Sequence, residues 1–166
     1  MEIIGLEQKI NSRTVAIAMK KLFTDKKILF YEGNWERGFI LDDVIFALRD
    51  EEEIDYSDLF TLQVEEHPSE FATVVTLYRT PEEHNDDREL YIALHLSKQF
   101  NCRAIINCPS DFADHPYCSL IIEEGKIFEA DDSGTVWVDG EGGCVKIIQE
   151  VHMPYHQFDA SGNKIE

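Results

Sequence analysis

The sequence predicts an α+β fold: a mostly antiparallel sheet with two or three helices packed on it. Three observations point there. Short apolar, β-branched runs come in pairs joined by turn residues, as at 59–65 with 71–79 and at 117–123 with 126–130. Two other segments, 12–23 and 82–100, repeat their apolar residues at helical spacing instead. From Cys102 onward the pattern is a strand meander, and strands grouped in hairpins with helices inserted favour an antiparallel sheet. A chain of 166 residues with 43% hydrophobic content is long enough for one domain with its own core. That domain is expected to span 1–151, with 152–166, which contains Pro154, Asp159, Ser161 and Gly162, as a loosely held C-terminal tail.

Taken in order, residues 1–6 are a short apolar stretch, and the first thirty residues lack the apolar run and cleavage site of a secretory signal. Asn11 or Ser12 caps a helix to about Phe23, in which Val15, Ala16, Met19, Leu22 and Phe23 form one face. Lys20, Lys21, Lys26 and Lys27 suit the negative pole of its dipole. A short strand at 27–31 precedes a glycine-containing connection at 32–38. Leu41, Val44, Ile45 and Leu48 then recur at helical spacing behind Asp42 and Asp43, predicting a helix to about Asp50, with a buried strand over 39–46 as the alternative.

In the hairpin that follows, Phe60, Leu62 and Val64 alternate with Thr61, Gln63 and Glu65, Pro68 lies in the turn, and 71–79 returns. Thr80 as cap and Pro81 at the first helical position open a helix over 82–100, whose Leu90, Ala93, Leu94, Ser97 and Phe100 share a face. Asn101 ends it and 102–107 is a short strand. Beyond a proline-containing loop at 109–116, the hairpin 117–123 with 126–130 turns at Glu124 and Gly125. Strands at 135–138 and 144–149 complete the meander.

Charge narrows the function. The net charge is −18, and residues 50–89 hold fourteen acids against Arg79 and Arg88. Nucleic acid and anionic membrane surfaces would meet like charge, so neither is an expected partner, whereas a basic protein is. Acidity of this kind also serves solubility. No apolar run reaches the roughly 18 residues of a membrane span, and a cytoplasmic location is expected. The four cysteines, at 102, 108, 118 and 144, accordingly read as reduced thiols.

One stretch invites chemistry. Residues 107–118, NCPSDFADHPYC, put Cys108 near His115, the pairing a thiol nucleophile needs, but without a nucleophile signature or a third group. Cys102, Cys108, His115 and Cys118 would make a Cys3His zinc set, yet only His115 and Cys118 have knuckle spacing. Small buried cysteines account for the pattern equally well, so no catalytic residue, metal or cofactor is assigned. The acidic glycine turn DGEGG at 139–143 repels phosphate.

The acidic middle divides by explanation. Glu82, Glu83, Asp86 and Asp87 complement a helix N-terminus, while Asp50, Glu51, Glu52, Glu53, Asp55 and Asp58 surround Tyr56 with no local reason. An aromatic ringed by charge suits an interface with an anchor and electrostatic steering, and these eleven residues form the expected partner-binding surface. Phe60, alternating with Leu62, reads as core. A helix ending SKQFN, the strand CRAIIN and the PYCSLIIEEGK hairpin, within 90–130 of an acidic chain, resemble the immunity proteins of bacterial polymorphic toxin and contact-dependent inhibition systems. The resemblance carries over no individual binding residue. It implies a non-enzymatic inhibitor that blocks a cognate toxin domain, often a basic nuclease. The alternatives are a thiol-dependent or zinc-containing hydrolase centred on Cys108 and His115, or an adaptor subunit of a larger assembly.

Overall fold

The computed structural model describes residues 1–32, 37–41, 45–47, 55–112 and 115–166. It has the expected α+β architecture, a large and mostly antiparallel sheet with two helices. The elements in chain order are β1 (Glu2–Leu6), α1 (Ser12–Leu22), β2 (Lys27–Glu32), β3 (Arg37–Leu41), β4 (Ile45–Ala47), β5 (Leu59–Glu66), β6 (Thr73–Tyr78), α2 (Asn85–Phe100), β7 (Ala104–Asn107), β8 (Cys118–Glu123), β9 (Lys126–Asp131), β10 (Thr135–Val136), β11 (Glu141–Gly142) and β12 (Lys146–Val151). Ten strands form one sheet in the order β12-β9-β8-β7-β1-β6-β5-β2-β3-β4, in which only β2 and β5 run parallel. The short β10 and β11 pair separately.

Both helices supply the core on one face of this sheet. Val15, Ala16 and Met19 of α1 and Leu90, Ile92, Ala93 and Leu96 of α2 join Ile4, Leu6, Ile28, Phe30, Leu62, Leu77, Ile106, Leu120 and Ile122 of the strands in one buried cluster. The helix face of α1 is the one its apolar spacing predicts, and Asn11 caps it by accepting the Thr14 N–H at 2.9 Å. On the opposite face a smaller cluster of Phe71, Ile105, Ile121, Ala130 and Val145 is roofed by Trp137, from a 3-10 turn at Trp137–Asp139. Gly5 makes that roof possible. A Cβ there would lie 2.5 Å from Ile105 Cγ2 and 3.0 Å from the Trp137 ring.

Strand β1 is the element that the sequence hides. It lies at the middle of the sheet between β6 and β7, although residues 1–6 carry no strand signal beyond their apolarity. Its Glu2 is fully buried, and Arg88 of α2, also fully buried, donates Nε–H to Glu2 Oε1 at 2.7 Å. The rest of the guanidinium is satisfied by the carbonyls of Pro81, Glu83 and Gly162 and by Asn85 Oδ1. One cation thereby fastens the N-terminal strand, the approach to α2 and the C-terminal residues together.

That hub corrects two expectations. The helix begins at Asn85, not at 82, and its cap residue is His84 in the left-handed conformation, φ 61°. Thr80 is diverted to Glu2, donating its hydroxyl at 2.9 Å, because residues 80–84 wrap around Arg88. Glu82 and Glu83 therefore precede the helix, and Asp86 and Asp87 alone lie in its first turn. The expected loose tail at 152–166 is docked: Phe158 is buried in the core, and the carbonyls of Ala160 and Gly162 accept from Asp25 N–H and Arg88.

A third correction concerns 41–50, where a helix was expected. Leu41 ends β3, pairing with Ile28 of β2 on one side and with Ile45, which begins β4, on the other, so sheet pairing overrides the helical spacing and the buried-strand alternative is the better description. Val44, Leu48 and Asp50 lie outside the described residues. The two predicted hairpins form as β5–β6 and β8–β9, Phe60 is core as expected, and the strand expected over 135–138 turns into the 3-10 segment after Val136.

Candidate functional site

Two acidic surfaces and one cysteine loop are the candidates. Of the first surface, Asp50, Glu51, Glu52 and Glu53 lie outside the described residues. The remainder is engaged within the chain. Asp55 accepts the Ser57 N–H at 3.0 Å, a bond that holds its carboxyl below the ordinary range. Asp58 lies 3.7 Å from Lys26 Nζ, and its carbonyl accepts from Lys27. Tyr56 packs beside Leu29, Ile40 and Leu59, and the Arg79 guanidinium covers its ring at 3.9 Å from the centroid. The apolar anchors of this stretch thus have internal partners.

The second surface surrounds the N-terminus of α2. A cleft of about 610 Å³ opens there between α2, the loop after β7 and the C-terminal residues. Its floor is apolar, from Leu90, Ile106, Leu120, Phe112 and Met153, and its rim carries Glu82, Asp86, Asp87 and Asp111. Asp87 is countered by Lys164 at 2.9 Å and faces His84 and His156 at 3.6 and 3.8 Å. Glu82, Asp86 and Asp111 have no cationic partner among the described residues. Of the four acids predicted here, the fold brings Glu82, Asp86 and Asp87 to the cleft and adds Asp111, twenty-four residues beyond Asp87, while Glu83 lines a neighbouring groove with Lys164 and Glu166.

Beneath this surface sits a carboxyl that the sequence gives no reason to single out. Glu89 accepts the Ile3 N–H at 2.8 Å and also bonds the Asn107 backbone, serving β1 and β7 where their mutual register stops at Gly5 and Ile105. Burial pushes its pKa up to about 8, with Glu2 and Asp86 adding to the rise. Its role is to close a gap between strands.

The loop 107–118 departs from expectation. Cys108 and Cys118 are joined in a disulfide, with Cα atoms 5.5 Å apart, rather than being two free thiols. The register explains the pairing: Asn107 faces Ser119 in β7–β8, so the next pair outward is Cys108 with Cys118. Cys102 is buried at the other end of β7, where burial pushes its thiol up, and Cys144 is free and exposed. The Cys102, Cys108, His115 and Cys118 set is therefore not assembled, and no free Cys108 thiol faces His115 in this form. The imidazole instead meets Glu129 of β9, Nε2 to Oε1 at 3.3 Å. Gln149 donates to the other carboxylate oxygen at 2.8 Å, and this bond, followed by that of His115, lowers the Glu129 pKa. The Cys118 sulfur, the His115 nitrogen and the Glu129 oxygen lie within 4.8 Å of one another.

No protein-family model, curated protein or solved structure matches the chain. Among the described residues no helix is long and apolar enough to cross a membrane.

Proposed function

We propose that the protein is a non-enzymatic binding protein that neutralises a basic protein partner, and that it acts as an immunity protein blocking a cognate toxin domain, nucleases being the class whose phosphate-binding groove best complements it. The observation that carries this reading is the α2 cleft. An apolar floor whose rim includes three carboxylates without a cationic partner among the described residues, Glu82, Asp86 and Asp111, combines the two components of a steered interface: desolvated contact area that slows dissociation, and surrounding charge that speeds encounter. A net charge of −18 extends the same steering over the whole surface. We assign the interface to Glu82, Asp86 and Asp111 rather than to 55–58, and the internal partners of the latter residues support that choice.

The test is co-expression with a candidate toxin domain, taken from any basic toxin gene found beside this one. The wild-type protein is expected to restore growth and the Glu82→Lys, Asp86→Lys, Asp111→Lys triple variant to fail. In binding kinetics the variant should lose association rate and salt dependence. A folded triple variant that protects and binds as the wild type does would refute the assignment of this surface.

A further inference from the structure

At the β8–β9 end of the molecule the fold brings Glu129 to three potential metal ligands of the 107–118 stretch, Cys108, His115 and Cys118. Cys108 and Cys118 come from the facing ends of β7 and β8, His115 from the loop between them, and Glu129 from β9. We propose that Cys108, His115, Cys118 and Glu129 form a redox-gated zinc site, closed by the disulfide when oxidised and four-coordinate when reduced. The site is independent of the reading of the α2 cleft.

Geometry supports four of the six edges of the coordination tetrahedron, those among Cys118, His115 and Glu129 and the one between the two sulfurs. Ligand bonds of roughly 2.0–2.1 Å to nitrogen and oxygen set an N···O edge of about 3.4 Å, and His115 Nε2 stands 3.3 Å from Glu129 Oε1. Zinc–sulfur bonds of about 2.3 Å set a nitrogen–sulfur edge of roughly 3.6 Å, and the Cys118 sulfur, the His115 nitrogen and the Glu129 oxygen are mutually within 4.8 Å. Cys108 is held to Cys118 by the bond itself, and two thiolates on one zinc separate to roughly 3.8 Å, a displacement that side-chain rotation supplies. The donor set of two thiolates, an imidazole and a carboxylate suits borderline-soft zinc and not magnesium or calcium, which take oxygen ligands. Glu129 is also supported from behind, since Gln149 donates to its second oxygen at 2.8 Å, the kind of partner that orients a metal-binding carboxylate.

The step balances with a named reductant. An external dithiol gives two electrons and two protons to the sulfurs as their bond breaks and becomes a disulfide itself. Zinc then takes both sulfurs as thiolates and releases the two protons. In a reducing compartment the zinc form is the one populated.

Metal-free protein reduced with a phosphine, titrated with cobalt(II) in the absence of air, tests this. One equivalent should produce the strong visible bands of tetrahedral cobalt and a thiolate charge-transfer band, both removed by zinc. The oxidised wild-type protein, already folded, should give neither. Glu129→Gln and His115→Ala, whose folding is checked by circular dichroism and by their ability to form the disulfide, should each weaken binding at least tenfold. Cys102→Ser and Cys144→Ser should leave it unchanged. The proposal is overturned if reduced wild-type protein shows no thiolate–cobalt spectrum, if the Glu129→Gln, His115→Ala double variant binds as tightly as wild type, or if binding follows Cys102 or Cys144.

Discussion

Near its N-terminus α2 carries Asp86, Asp87, Arg88 and Glu89 in succession, and the two sides of the helix treat charge in opposite ways. On the inner side, Arg88 is fully buried with Glu2 and four further acceptors, and Glu89 is enclosed between two strands with its pKa raised to about 8. On the outer side, Asp86 is exposed with no cationic partner among the described residues, and Asp87 pairs with Lys164 at the rim of the cleft. In the sequence Asp86 and Asp87 belong to an acidic helix start with Glu82 and Glu83, and neither Arg88 nor Glu89 is singled out. The helical turn separates the four consecutive residues into a structural centre and a surface available to a partner, because residues one apart point about 100° apart around the axis. The acidity of the middle region is thus two phenomena, a buried part organised around Arg88 and an exposed part at the cleft.

The largest test of that contrast is Arg88→Met. Removing the guanidinium leaves the Glu2 carboxylate buried without its partner, which is expected to cost about 3–5 kcal/mol. In urea the midpoint should fall with little change in slope. Adding Glu2→Gln should recover part of the loss, and a single-variant cost no larger than that of a surface substitution would break the distinction between the two sides.

Glu89 sharpens it through pH. A carboxyl whose pKa is raised on folding contributes its stabilisation fully below its ordinary value near 4.5, and that contribution is lost as the pH rises through about 8. Stability is therefore expected to decline between pH 5 and 8, with a limiting slope of about 1.4 kcal/mol per pH unit for this group. Glu89→Gln should flatten the decline and be the more stable protein at pH 8. An unchanged slope in chemical denaturation across that range would count against a buried neutral carboxyl. The smallest effect belongs to the outer side: at pH 6, below the Glu89 pKa of about 8, Asp86→Asn loses a favourable interaction with the helix dipole, about 0.3–1 kcal/mol, and thermal denaturation should show the difference shrinking with added salt.

The described part of the other acidic stretch, 55–58, shows how local charge density misleads. Tyr56 between Asp55 and Asp58 has the composition of an exposed anchor, but Arg79, from the far end of β6, covers its ring. Nothing in the spacing of 50–58 announces that cation. The α2 cleft was legible in part. Glu82, Asp86 and Asp87 stand out in the sequence, whereas Asp111 and the apolar floor come from segments that meet them only after the sheet has formed.

What the sequence by itself determines is what short-range physics decides. Asn11 caps α1 because its side chain reaches Thr14 N–H three residues on, the β5–β6 and β8–β9 hairpins follow from alternation and turn residues, and their grouping with two inserted helices defines the α+β class. Tertiary structure alone decides that β1 is central, that Arg88 meets Glu2 across 86 positions, that α2 starts after Thr80 has been diverted, and that Glu129 joins His115 and Cys118. The physical reason is common to all four. Each depends on which strands lie side by side and in which register, and that is fixed by burial summed over the whole sheet rather than by the propensities of any one segment.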